Sequence, residues 1–307
     1  MKLRCPNPNC ILAKNPCPKP GLFVGNGHFF RASDSKWIRR FICKSCKKSF
    51  SYSSLKPTYR QKKRRITPLL KQLLVSGVSQ RRAAKILKVN PKTVVRRFRY
   101  LASEERKKQA QWVLNHYQNQ PIAEIQFDDL ETAEHTKCKP LSVALAVDPK
   151  TRKILSFHVS KMPAKGTLSK VALQKYGYRK DERSRGWDML MRDLKAITHE
   201  VPTFYSDENP HYPKYVFRHH PKAVHKTTLG GRGSISGQGE LKKLRFDPLF
   251  SLNHTCAMLR ANLNRLFRRT WCISKTVKGL EDHLALYVAY HNQVLTPSPL
   301  PTAKGGS

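Results

Sequence analysis

Ile125-Gln-Phe-Asp-Asp-Leu-Glu-Thr132, Leu141-Ser-Val-Ala-Leu-Ala-Val-Asp148 and Ile154-Leu-Ser-Phe-His158 are the stretches whose reading decides the fold. Ile125 and Phe127 flank a polar residue, the alternation of a strand buried on one face. Asp128 and Asp129 follow, at what reads as the end of that strand. After a basic turn from His135 to Pro140, Leu141–Val147 is an almost unbroken apolar run. Asp148-Pro149-Lys150 makes a turn, and Ile154–His158 supplies a third strand. The segment is therefore a meander of short strands carrying a carboxylate. Strand alternation turns Asp128 and Asp129 to opposite faces.

An acidic residue in the middle of this chain needs a reason. Lys and Arg number 59 against 20 Asp and Glu in 307 residues, a formal charge of +39. Self-repulsion on that scale calls for a polyanionic partner, which makes nucleic acid the leading class. A divalent cation is the matching reason for the acids. No apolar run approaches the ~20 residues of a membrane span. The chain reads as cytosolic, and its eight cysteines then read as thiols or metal ligands rather than disulfides.

Outward from the meander, residues 186–197 have the period of an amphipathic helix, and Thr203-Phe-Tyr-Ser-Asp207-Glu208 reads as a strand ending in a second carboxylate. Strand meander, helix, then strand, with an aspartate closing each functional strand, is the element order of a ribonuclease-H-like α/β core. In such a core Asp128 and Asp207 lie on adjacent strands and ligate the same magnesium or manganese ions, the arrangement of two-metal phosphodiester chemistry. Residues 161–186 read as a basic loop, and Pro210–Tyr215 as the start of another loop or helix. Residues 226–246 are rich in Gly and Ser and then basic; without a G-K-[ST] they are not a nucleotide loop, and they read as an inserted DNA-contacting loop. A long helix is expected from Leu249 to about Arg269, with Arg260, Arg265 and Arg268 as candidate DNA contacts. A last helix spans Val277–Asn292, and residues 293–307 read as an unstructured tail.

Toward the amino terminus, Cys43-Lys-Ser-Cys46 is a C-x-x-C knuckle and Cys5-Pro-Asn-Pro-Asn-Cys10 a wider pair. Two thiolate pairs separated by a hairpin-sized insert suit tetrahedral zinc. Cys5, Cys10, Cys43 and Cys46 are the expected ligands, with Cys17 an alternative to Cys10. Beyond a basic connector, Ile66–Leu74 is an apolar-faced helix stopped by Gly77. Ser79 caps a second helix, and Pro91 opens a third that runs to Leu101. The pattern is that of a helix-turn-helix module, with Lys92, Thr93, Arg96 and Arg97 turned toward the major groove of double-stranded DNA.

The whole is a multidomain chain. A small zinc ribbon covers 1–56, an all-α helix-turn-helix 57–102, a helical connector 103–120, and the α/β ribonuclease-H-like domain 121–292.

Taken together, Arg39-Arg-Phe-Ile-Cys-Lys-Ser-Cys-Lys-Lys-Ser-Phe50, Phe127-Asp-Asp-Leu-Glu131, Ser206-Asp-Glu-Asn-Pro-His-Tyr212 and Leu259-Arg-Ala-Asn-Leu-Asn-Arg-Leu-Phe-Arg-Arg-Thr270 resemble transposases of the insertion-sequence-one family, over residues 5 to about 292. The resemblance implies a DDE-type, metal-dependent cut-and-join reaction at terminal inverted repeats, by a protein that forms homo-oligomers in its synaptic complex. It also implies a catalytic glutamate seven residues before Arg260, where this chain has Asn253. Three readings stay open there: Glu240 of the inserted loop completes the site; Asn253 does so, assisted by His254; or the chain is an inactive derivative that binds DNA as a regulator.

Overall fold

The computed structural model describes residues 3–14, 21–32, 34–56, 58–59, 61–229, 247–267 and 271–296. They divide into two compact units, Met1–Leu70 and Lys71–Ser307. Both Glu240 and Cys17 lie outside the described residues, as do Arg268 and the end of the expected tail.

The first unit holds a short helix α1 (Ile11–Lys14) and three antiparallel strands in the order β1 (Phe23–Arg31), β2 (Lys36–Cys43), β3 (Ser49–Ser51). Its core is small: Cys5, Cys10, Leu12, Phe41, Cys43, Phe50 and Leu55. A core of that size is marginal by itself.

The second unit starts within α2 (Thr67–Val75), which stops before Gly77, whose φ of +74° a side chain would strain. Ser79 accepts the backbone N–H of Arg82 to cap α3 (Gln80–Ile86). Asn90 does the same for Lys92 at the head of α4, with Pro91 in the first turn. These local signals act as the sequence indicates. The end of α4 does not. It runs unbroken from Pro91 to Tyr117, so the third helix and the connector are one rod. Val94, Phe98, Leu101, Glu105, Gln109, Val113 and Tyr117 form one buried stripe along it. That stripe packs on α9 (Val277–Tyr290) and on the sheet. Burial along α4 is continuous, so nothing favours a break at residue 102.

The sheet has five strands in the order β6 (Ile154–Lys161), β5 (Thr136–Val147), β4 (Ile122–Glu134), β7 (Thr198–Asp207), β8 (Val224–Thr228). The middle of the first three, β5, runs antiparallel to both β6 and β4; β7 runs parallel to β4 and β8 parallel to β7. Leu141–Val147 is wholly buried, as an apolar run without alternation requires. On one side of the sheet lie α6 (Arg183–Leu194) and α7 (Tyr212–His219), closing a core around Phe127, Trp187, Leu190, Phe204 and Tyr212. Against β4 and β5 lies α8 (Phe250–Asn262).

Several expectations are corrected. Strand β4 does not stop at Asp128–Asp129 but continues to Glu134, because β5 extends the hairpin and Leu130 and Ala133 still bury inward. The supposed basic loop holds a helix, α5 (Leu168–Tyr176). The long arginine-bearing helix ends at Asn262: Leu263 turns to an extended conformation and a 3-10 turn follows over Asn264–Leu266. The last helix passes at His291 into a π-helical turn reaching Leu295, so the first three residues of the expected tail are ordered structure. Asn292 explains this, since its side chain bonds both the N–H and the carbonyl of Ile154 and borders β6 like a further strand.

Candidate functional site

Two groups of residues are candidates, one in each unit. In the first unit Cys5, Cys10, Cys43 and Cys46 bring their Sγ atoms within 4.8 Å of one another. Cys5 and Cys46 are 3.4 Å apart, Cys10 and Cys43 3.8 Å. Zn–S bonds of ~2.3 Å in a tetrahedron place sulfurs ~3.8 Å apart, so the cluster has the spacing of a set that can hold a zinc ion. The backbone shapes it. Cys43 N bonds the Lys48 carbonyl and Lys47 N the Cys43 carbonyl, folding the knuckle, and Lys47 takes a positive φ of 56° to close it. The thiols differ in acidity. The Lys48 backbone N–H pulls Cys46 down to about 6, while burial pushes Cys5 up to about 12. A metal ion there would take the thiolate form, because only thiolates ligate.

In the second unit the site is made by the ends of strands. The parallel register pairs Gln126 of β4 with Tyr205 of β7. Carried two residues on, it sets Asp128 beside Asp207, the last residue of β7. Strand β4 continues past its neighbour, so Asp128 stands where the sheet's parallel half gives out. Burial, and then the Asp207 carboxylate, push Asp128 up to about 7. Its Oδ1 is already engaged, accepting the Asp129 N–H at 2.6 Å and the Tyr212 hydroxyl at 3.1 Å. Among the described residues nothing donates to Oδ2. One oxygen is thus held and the other left available, beside a second carboxylate. A cation at that point would offset both the burial and the like-charge repulsion, and a carboxylate pair is the oxygen donor set that magnesium or manganese prefers. Asp207 Oδ1 accepts the Asn209 N–H at 3.2 Å.

Asp129 has a different environment. Trp187 Nε1 donates to both of its oxygens at 3.0–3.1 Å, and Ser142 Oγ donates at 2.7 Å. Its pKa is raised by burial, against these donors and the nearby Arg183. It faces α6, while Gln126, two residues before Asp128 on the other face, bonds Pro248 and Leu252 at the head of α8. The aromatic donors Tyr212 and Trp187 pack edge to face at 5.4 Å and hold the two neighbouring carboxylates apart. Neither aromatic was identified from the sequence as part of a site; the only signal was their occurrence just after Asp207 and at the start of a helix.

The third position stands differently from expectation. Asn253 is exposed on α8, and its Nδ2 donates to Asp247 at 2.9 Å. His254 leaves Nδ1 buried without a partner and stands beside His291. The α8 side chain that feels Asp128 is Cys256, whose thiol is pushed up to about 12 by burial and then by that carboxylate. Among the described residues, the cysteine set is the one cluster of three or more metal-ligating side chains.

The candidate DNA contacts separate. Lys92 and Arg96 are exposed and Thr93 half-buried, on the outer face of α4. Arg97 is 5 % exposed and turned inward, which corrects its assignment to the groove-facing set. One step along a helix changes its face by about 100°, so Arg96 and Arg97 cannot both point outward with Val94 and Phe98 buried. Arg265 is likewise internal: it donates to Ser274 Oγ at 3.0 Å and lies over the Phe98 ring at 5.7 Å. The break at Leu263 is what swings it inward. Arg260 is half-buried near Cys256. No helix among the described residues is long and apolar enough to cross a membrane.

No protein-family model matches the sequence, and no curated protein matches it.

Proposed function

We propose that the chain is a DNA transposase that binds terminal inverted repeats and carries out divalent-metal-dependent cleavage and strand transfer. The observation that carries this reading is that Asp128 of β4 lies within electrostatic reach of Asp207 at the end of the adjacent parallel strand β7, with Asp128 held up to about 7 by burial and by its neighbour. The strand order, with three antiparallel strands followed by two parallel ones, is that of the ribonuclease-H-like core the sequence leads one to expect, and it supports the same reading. When bound there, magnesium or manganese supplies Lewis-acid activation of a water or 3′-hydroxyl and stabilises the leaving oxygen. The chain's own residues prepare the position. Tyr212 and the Asp129 N–H fix one oxygen of Asp128, and among the described residues nothing donates to the other. Trp187 and Ser142 keep Asp129 out of the site. Exposed Lys92 and Arg96 on a capped helix, in a chain of charge +39, support duplex binding through the helix-turn-helix portion. The cysteine cluster is read as a structural zinc site in a zinc ribbon.

A second reading has an observation in its favour. On α8, the Cys256 thiol is the group whose acidity the Asp128 charge shifts, and that helix carries no carboxylate, which favours an inactive derivative acting as a DNA-binding regulator. Glu240 remains the third-acid candidate in the active reading. A nicking and strand-transfer assay with magnesium separates the two. The transposase reading expects activity that Asp128→Asn abolishes with duplex affinity unchanged, and that Glu240→Gln reduces far more than Asn253→Ala. Absence of activity in the unaltered chain, with specific duplex binding intact, establishes the regulator.

A further inference from the structure

The zinc-ligating unit has a second surface that neither the cysteine cluster nor the carboxylate pair uses. Residues 1–70 contain 17 Lys and Arg against a single acid, Asp34. That acid is engaged by Arg31 through two bonds of 2.6 Å. On one face of the β1–β3 sheet a groove of about 840 Å³ opens, lined by Phe29, Arg40, Lys48, Tyr59, Lys62 and Arg64 among others. The strand register explains why these meet. Phe29 pairs with Ile38, and Arg40 pairs with Ser51, so Phe29, Arg40 and Ser51 share a face. Small serines on β3 leave the floor low, and Tyr59 and Lys62 come from the segment after it. Phe29 is 38 % and Tyr59 48 % exposed. The face with Phe41 and Phe50 is the one that packs in the core.

We infer that this groove binds an unpaired strand of nucleic acid, with Phe29 and Tyr59 as stacking surfaces for bases and Arg40, Lys48, Lys62 and Arg64 following the phosphates. Charge selects the polyanion: four cations line the groove besides the one that Asp34 engages. The two half-exposed rings select the unpaired form. A base offers its face to a protein ring only when it is not stacked inside a duplex, and a basic groove with interleaved aromatics is the physical recipe for single-strand binding. The geometry also supplies its own control. Phe30 and Trp37 are cross-strand partners, 5.6 Å apart, on the opposite face by strand alternation, and Trp37 is 70 % exposed. A more exposed aromatic thus lies outside the groove. The inference rests on the first unit alone and does not depend on the proposed reaction.

The test uses the full-length zinc-loaded chain and fluorescence anisotropy with two probes, labelled oligothymidylate of about 16 nucleotides and a mixed-sequence duplex of the same length. Phe29→Ala and Tyr59→Ala are each expected to weaken oligothymidylate binding about tenfold, with duplex affinity within about twofold and zinc content unchanged. Trp37→Ala should leave both affinities alone. Tyr59→Trp should retain single-strand affinity, and its added fluorescence should be quenched by oligothymidylate but not by the duplex. Equal losses for both probes, no loss for either, or Tyr59→Trp emission indifferent to the single strand would each overturn the inference. So would displacement of oligothymidylate by polyglutamate at matched charge, which assigns the surface to acidic protein. Should an alanine variant lose zinc, the Tyr59→Trp quenching decides.

Discussion

Asp128 is the residue on which chemistry and burial conflict most directly. An isolated surface aspartate would need no help to ionise, but burial and Asp207 hold this one up to about 7, and one of its oxygens is tied to Tyr212. Removing that hydroxyl tests whether the tie matters. Tyr212→Phe should weaken divalent-cation binding several-fold while leaving the fold intact, since Phe127 and Trp187 still pack the ring; calorimetric titration with manganese measures it, and unchanged affinity would show that the hydroxyl plays no part in holding the cation. His283 carries a different residue-scale consequence. It is fully buried, donates Nε2 to the Leu74 carbonyl at 2.7 Å, and burial lowers it to about 4. Its folded pKa is depressed, so the unfolded chain takes up a proton first, near the ordinary histidine value of ~6.5. Stability from this group is therefore complete above pH ~6.5 and is lost as pH falls from there toward 4, by on the order of 2–3 kcal/mol. Denaturant midpoints measured across that range should fall, and His283→Gln should flatten the decline; an equal slope in the variant would show that other groups carry it.

Among the elements, the close approach of α6 to β6 is set by Gly186. A Cβ there would strike the Ser160 hydroxyl well inside van der Waals contact, with His158 next in reach. Gly186→Ala gains helix propensity of about 1 kcal/mol yet should lose more, destabilising by about 1–3 kcal/mol through overpacking. Adding Ser160→Ala should recover most of the loss in a double-mutant cycle; additive losses would mean the helix moves away and the contact is incidental. Elements also show what the sequence could convey. Gly77, Ser79, Asn90 and Pro91 act through their own backbone geometry, so their helix boundaries were legible. So was the placement of Asp128 and Asp207 on strands, because alternating and apolar runs are local patterns. Arg97 and Arg265 turned inward for reasons held elsewhere, in α4's continuous stripe and in the unsignalled break at Leu263, where no glycine or proline marks the helix end. Strand β8, half-exposed with no alternation, left no periodic trace, and Cys256 reached Asp128 only through the docking of α8 on β4.

Across the whole molecule, charge governs what the protein can bind. With +39 to neutralise, duplex affinity should fall steeply and linearly in log[salt], each neutralised phosphate contributing a slope of about −0.9. A shallow slope would remove phosphate contact as the main source of affinity. On the proposed zinc reading of the cysteine cluster, Cys43→Ser should release the metal and unfold the first unit, seen as loss of bound zinc in metal analysis, since its core of seven residues contains three of the four cysteines.

The carboxylate pair is the central claim, and manganese binding followed by electron paramagnetic resonance tests it most directly. If Asp128 and Asp207 share the cation, Asp128→Asn, Asp207→Asn and the double variant should each abolish the same binding, with no further loss in the double. Retention of the bound signal in either single variant would contradict it.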